Sequence, residues 1–115
     1  MNLTFAGKRW KLEFTALPIS YDNPLGMTQD PTTKGRRIFI KAGQAPKREL
    51  DTLVHEAIHA LGWWLDEEYV AKWATDITNM LWKLGFRRLN KQQLKQWEAD
   101  YEEFKQPKKS DVESS

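Results

Sequence analysis

Residues 46–62 carry the pattern that most constrains the fold, because they predict one amphipathic helix with defined ends. Pro46 is favoured at the first position of a helix, and Gly62 is favoured just after the last turn. Between them, apolar residues recur at spacings of three and four, the period of one face of an α-helix. This stripe comprises Leu50, Leu53, Val54, Ala57, Ile58 and Leu61. We therefore expect a helix that buries the stripe against the rest of a small domain.

Three β-strands are predicted before this helix. Apolar and polar residues alternate over residues 9–15, and a shorter run of the same kind covers residues 2–5, so the two are expected to pair as a hairpin. Residues 18–35 are rich in Pro, Gly, Asp, Asn and Thr, which predicts a long loop. Residues 36–41 follow it and contain many strand-forming side chains, which predicts a further strand.

Two more helices are predicted after the first. One begins at Asp66, a suitable N-cap, and runs to about Leu84. Its buried stripe is expected to comprise Val70, Trp73, Ala74, Ile77 and Leu81. The other begins at Asn90, and its apolar face is expected to comprise Leu94, Trp97, Tyr101 and Phe104. Together these elements predict a single α+β domain over residues 1–105, with residues 106–115 as a disordered tail.

Composition excludes several classes of protein. The chain of 115 residues contains no Cys, which excludes a disulfide scaffold and a thiolate metal site. No apolar run reaches the roughly 18 residues that a membrane span needs. The net charge of +2 is small and does not favour binding to nucleic acid through bulk charge. We expect neither a signal peptide nor a membrane partner, and we expect a cytoplasmic location.

The predicted first helix contains the motif His55-Glu56-Ala57-Ile58-His59, an HExxH pattern. Residues four apart project from the same side of a helix, so the two imidazoles can bind one zinc ion. Glu56, next to the first histidine, can reach a water at the metal and act as the general base without binding the metal itself. The spacing therefore predicts a hydrolytic zinc site.

The third protein ligand of such a site has to be a carboxylate, because no other His and no Cys exist. Leu65 occupies the position where a ligand would follow Gly62 in the metzincin pattern, which argues against that class. Glu67 shares the face of the second predicted helix that is expected to pack on the first, so it is the preferred ligand. Glu68 is the alternative, and Asp66 is better explained as a helix cap.

Other residues are weaker candidates for a role at the site. An oxyanion could be stabilised by Tyr69, Tyr21 or Arg37, and Asp51 could orient the ring of His55 from one turn away. Trp63 and Trp64 could line a substrate pocket, although a core role is favoured for both. Basic clusters occur at residues 36–37, 87–88 and 91–95, and a solvated surface explains them better than nucleic acid does.

Residues 53–61 resemble the active-site helix of small zincin metallopeptidases, and residues 30–40 look like the loop and strand before that helix in the ImmA/IrrE-like and SprT-like groups. Residues 66–70 and 82–87 are similar to small HExxH proteins often carried by phages and prophages. The resemblance implies a minimal zincin fold, in which a small antiparallel or mixed sheet packs on the active-site helix.

The resemblance also implies roles for individual residues. It assigns metal binding to His55 and His59, the general base to Glu56, and the third ligand to a glutamate at the start of the next helix, as in gluzincins. The strand over residues 37–41 would be the sheet edge that binds an extended peptide. SprT-like proteins use a third His that this chain lacks, so their role in DNA repair is not implied.

The expected function is therefore that of a zinc-dependent metallopeptidase of gluzincin type, with a protein or peptide as its substrate. The alternatives are a non-catalytic zinc-binding interaction module and an accessory protein that associates with nucleic acid. The sequence predicts no oligomeric state.

Overall fold

The computed structural model describes residues 1–16 and 25–105 and confirms the α+β class. In chain order, the elements are β1 (Asn2–Phe5), β2 (Lys8–Thr15), β3 (Gly26–Thr28), β4 (Arg37–Lys41), α1 (Pro46–Leu61), α2 (Glu67–Lys83) and α3 (Lys91–Lys105). The predicted tail, residues 106–115, lies outside the described residues. Among the described helices, none combines the length and the apolar character that crossing a membrane requires.

The four strands form a mixed sheet in the order β1-β2-β4-β3. β1 and β2 are antiparallel and joined by Ala6 and Gly7, whose φ angles of 51° and 76° suit a two-residue hairpin turn. β4 is parallel to β2 and antiparallel to β3. The prediction that residues 37–41 form an edge strand is therefore wrong, because β3 covers that side of β4.

β3 lies within residues 18–35, which were expected to form one loop. Its three residues carry no alternating pattern long enough to predict a strand, and pairing with β4 holds them in the sheet. Residues 18–24 of the expected loop lie outside the described residues. The finding matters for function, because β3 brings backbone and side chains directly against α1.

α1 lies between the sheet and α2. The main hydrophobic core consists of Trp10, Leu12, Ile38, Ile40 and Ala60. The buried positions of α1 are Thr52, Glu56 and Ala60, one face of the helix, whereas the predicted stripe is half-buried and its last member, Leu61, is 50% exposed. The sheet and α2 cover α1 on two sides, so the helix buries residues outside the apolar stripe. The periodicity of apolar residues alone did not indicate this second covered side.

α2 packs on α1 through Val70, Ala74 and Thr78, which are buried. Trp73 and Ile77 were expected in the same stripe, but they are 44% and 38% exposed. They lie at the edge of an α2 face that no described element covers.

α3 begins as predicted. The Asn90 side chain accepts a hydrogen bond from the Gln93 backbone at 2.7 Å, and the Gln93 side chain accepts one from the Asn90 backbone at 3.0 Å, which forms a capping box. Within the described residues, α3 packs against no other helix or strand. Its predicted apolar face is accordingly exposed at Leu94 and Trp97, and the side chain of Phe104 lies outside the described part of the chain.

Candidate metal centre

His55 and His59 lie one turn apart on α1, as their spacing predicts. The centroids of the two imidazole rings are 5.0 Å apart, and the rings are inclined at 62°. Their side chains are 22% and 17% exposed, so both lie at the surface of the domain rather than in its core.

Glu67, the first residue of α2, lies opposite both rings. Its Oε1 is 2.6 Å from His55 Nε2, and its Oε2 is 2.7 Å from His59 Nε2. The ligand atoms of these three residues all lie within 4.8 Å of one another, close enough to hold one metal ion. Glu68, the alternative ligand, is exposed and does not belong to this group. Asp66 occupies the N-cap position of α2, although its side chain makes no capping hydrogen bond.

Glu56 lies beside the two histidines but on the buried face of α1. Its side chain is only 6% exposed. The hydroxyl of Thr28 on β3 donates to it, with Oγ1 3.0 Å from Glu56 Oε1 and also 3.0 Å from the Glu56 carbonyl oxygen. The strand β3 therefore fixes the orientation of this carboxyl group, a contact that no sequence spacing could have indicated.

Gly26 on β3 makes room for this arrangement. A Cβ atom at this position would lie 3.0 Å from both Cγ and Oε2 of Glu56, and 2.7 Å from Cγ2 of Thr52. Real Cβ atoms are almost never found at the shorter distance. The close approach of β3 to α1 thus depends on the absence of a side chain at residue 26.

Burial raises the pKa of Glu56 above its ordinary value, because removal from water disfavours the charged carboxylate. The neighbouring His55 and the hydrogen bond from Thr28 lower the pKa and partly oppose this effect. The result is a carboxyl group that binds a proton more readily than a surface glutamate does.

Two clefts meet at the candidate site. The larger, of about 650 Å³, lies between the amino-terminal half of α1 and α2; it is lined by the site residues His55, Glu56 and Glu67 together with Lys47, Asp51 and Asn79, among others. The smaller, of about 180 Å³, is lined by Met27, Thr28, Glu56, His59, Trp63 and Glu67. Because Glu56 and Glu67 line both clefts, a bound molecule could extend past the site in either direction.

Of the aromatic candidates that the structure describes, Trp63 lines a cleft at the site and Trp64 does not. Trp63 lines the smaller cleft and its ring centroid is 6.5 Å from that of His59, whereas Trp64 is 80% exposed rather than part of the core. The ring of Tyr69 lies against Trp73, with centroids 6.1 Å apart. Tyr21 lies outside the described residues.

The charged candidates mostly make contacts within the domain. Arg37 Nη1 is 3.2 Å from Glu13 Oε1, so its side chain pairs with the neighbouring strand β2. Asp51 lines the larger cleft. The guanidinium of Arg87 lies 3.2 Å from the ring centroid of Trp82, and Arg88 Nη1 is 2.9 Å from Glu49 Oε1. Packing and ion pairing thus account for this basic pair.

No protein-family model, curated protein or solved structure matches the chain.

Proposed function

We propose that the protein is a zinc-dependent metallopeptidase in which His55, His59 and Glu67 hold the metal and Glu56 is the general base. The observation that carries the proposal is that Glu67 reaches both imidazoles while Glu56 lines the cleft beside each of them. Two imidazole nitrogens and one carboxylate oxygen are a donor set that zinc accepts in catalytic sites. Three protein ligands also leave one coordination position for the reaction.

When bound, zinc would act as a Lewis acid, which polarises a carbonyl group and lowers the pKa of water. Glu56 would take a proton from the attacking water and later deliver it to the amine that leaves. Burial raises the pKa of Glu56, so this carboxyl group accepts a proton more readily than a surface glutamate does, which suits a group that must both take and return a proton. Thr28 would hold the carboxyl group in position through its hydrogen bond.

The proposed substrate is an extended segment of a protein or peptide, bound along β3. Among the described strands, β3 has only β4 as a neighbour. The backbone groups of Leu25 and Gln29 bond to β4, so by the alternation of an antiparallel strand those of Gly26 and Thr28 point away from it. Gly26 and Thr28 are buried in the structure, so a peptide strand would pair with these groups, beside the metal ligands, only once they become accessible.

The test compares Glu56→Gln with Glu68→Gln. The second variant is the control, because it makes the same change at an exposed glutamate that follows Glu67 in the chain. Each protein is loaded with zinc and incubated with fluorescently labelled casein and with a mixed peptide library. We expect Glu56→Gln to bind one zinc ion and to lose at least about 100-fold in hydrolysis, the usual contribution of a general base. Glu68→Gln should cleave as the unmodified protein does.

Equal cleavage by Glu56→Gln and the unmodified protein would contradict the proposed base. A zinc-loaded protein that cleaves neither probe would instead support a non-catalytic zinc module. The two outcomes are distinguished by whether the unmodified protein cleaves, and zinc content measured on the same samples shows that each protein is loaded.

A further inference from the structure

α2 carries an exposed apolar face in addition to the face that packs on α1. Its residues recur at spacings of three and four and are 38–67% exposed. We call this surface the outer face of α2; it comprises Tyr69, Trp73, Ile77, Met80 and Leu84. At 100° per residue these five positions span only about 80° of the helix circumference, so they form one continuous stripe.

α3 carries a second apolar surface. Leu94 and Trp97, three residues apart on one side of the helix, are 41% and 64% exposed. Within the described residues, α3 packs against no other helix or strand. An isolated helix of 15 residues is marginally stable in water, so α3 needs a partner surface to persist.

The connection between the two helices leads α3 away from the outer face of its own α2. Arg87 stacks on Trp82, which lies about 180° around α2 from the centre of the outer face. Arg88 then bonds to Glu49 of α1 at 2.9 Å and lies over the ring of Phe14 of β2, 4.2 Å from its centroid. The chain therefore leaves α2 on the side opposite its exposed apolar stripe.

We infer that two copies of this chain form a two-fold dimer in which α3 of each copy packs on the outer face of α2 of the other. Such an exchange makes the same contact twice and closes the assembly, so it leaves neither apolar surface exposed. The charge of +2 on each copy opposes the association only weakly.

The exposed area is sufficient for this assembly. At roughly 150–250 Å² for a fully exposed large side chain, the seven side chains of the two surfaces expose about 700 Å² per copy. That approaches the roughly 800 Å² per partner that a standard stable interface buries.

Sedimentation equilibrium of the full chain between about 1 and 200 μM tests the inference. The chain should be a dimer, and Met80→Glu on α2 and Trp97→Glu on α3 should each raise the dissociation constant at least about 30-fold, as expected for central interface residues. Trp64→Glu is the matched control, since Trp64 is 80% exposed and lies outside both surfaces. It should leave the dissociation constant unchanged.

Mixing the two variants tests the exchange itself. A mixed dimer of Met80→Glu with Trp97→Glu places both substitutions in one of its two contacts and leaves the other contact intact. Because a contact that one substitution has already broken loses little more from a second, the mixture should associate at a concentration at which neither variant does so alone.

Several results would overturn the inference. A monomer at 200 μM would show that α3 finds no partner in a second copy, and larger open assemblies would show that the contact does not close. Loss of association in only one of the two variants, or no recovery on mixing, would show that the helices pair with their own counterparts. Circular dichroism of each variant checks its fold. A loss of helicity no larger than that of α3 means that α1 and α2 remain folded.

Discussion

The close approach of β3 to α1 provides the most specific prediction of the structure, the effect of Gly26→Ala. The new methyl group would lie 2.7 Å from Cγ2 of Thr52 and 3.0 Å from two atoms of Glu56. Inserting a methyl group into so close a contact forces the strand and the helix apart, at a cost of about 1–3 kcal/mol. For a domain of this size we expect the melting temperature to fall by about 4–20 °C.

Thr52→Ser separates this clash from any general effect of the substitution. It removes Cγ2, the closest atom, and keeps the hydroxyl that lies 2.9 Å from both Gln44 Oε1 and the Arg48 carbonyl oxygen. In the Thr52→Ser background, Gly26→Ala should cost about 1 kcal/mol less, a coupling expected only for residues in contact. The remaining cost comes from the contact with Glu56.

Urea unfolding of the four proteins in this cycle, without added metal, measures the free energies of unfolding. Equal costs of Gly26→Ala in the two backgrounds would refute the reasoning, because they would show that Thr52 does not limit the approach of the strand. A cost below about 0.5 kcal/mol in the original background would be a surface-like effect and would also refute it.

Three further predictions concern contacts around the site. Thr28→Val removes the hydroxyl that is hydrogen-bonded to Glu56, so the free energy of unfolding, measured in urea, should fall by about 1–3 kcal/mol. In metal-free protein, the raised pKa of Glu56 means that the folded state binds a proton more tightly than the unfolded chain. The stability that Glu56 contributes should therefore be lost as the pH rises above 4.5, and urea titrations across that range should show that this loss is absent in Glu56→Gln. Arg88→Ala should lower the free energy of unfolding by about 1 kcal/mol, through loss of the partly exposed Glu49 pair and the Phe14 contact. A free energy of unfolding that does not change in one of these assays would contradict the corresponding contact.

The sequence predicted the local elements well, because their signals are local. The hairpin, the start of α1 at Pro46 and the capping box of Asn90 follow from side chains within a few residues of each boundary. The preference for Glu67 over Glu68 also came from local geometry, since it required only the helical period after residue 66. The structure brings Glu67, rather than Glu68, to the two histidines.

The parts that the sequence did not predict depend on contacts between distant residues. Whether the strand over residues 37–41 lies at an edge depends on β3, which is too short to have a pattern of its own. The hydrogen bond from Thr28 to Glu56 joins residues that are 28 positions apart. Burial of Trp73 and Ile77 was inferred from a wide apolar stripe, but a single neighbouring helix covers only part of such a stripe.

Zinc titration against a competing chromophoric chelator tests the central claim most directly. The account predicts one high-affinity zinc ion per chain, none for His55→Ala, an affinity lowered more than about 100-fold by Glu67→Gln, and an affinity unchanged by Glu68→Gln. Undiminished binding by His55→Ala, or a loss caused by Glu68→Gln in place of Glu67→Gln, would contradict the proposed site.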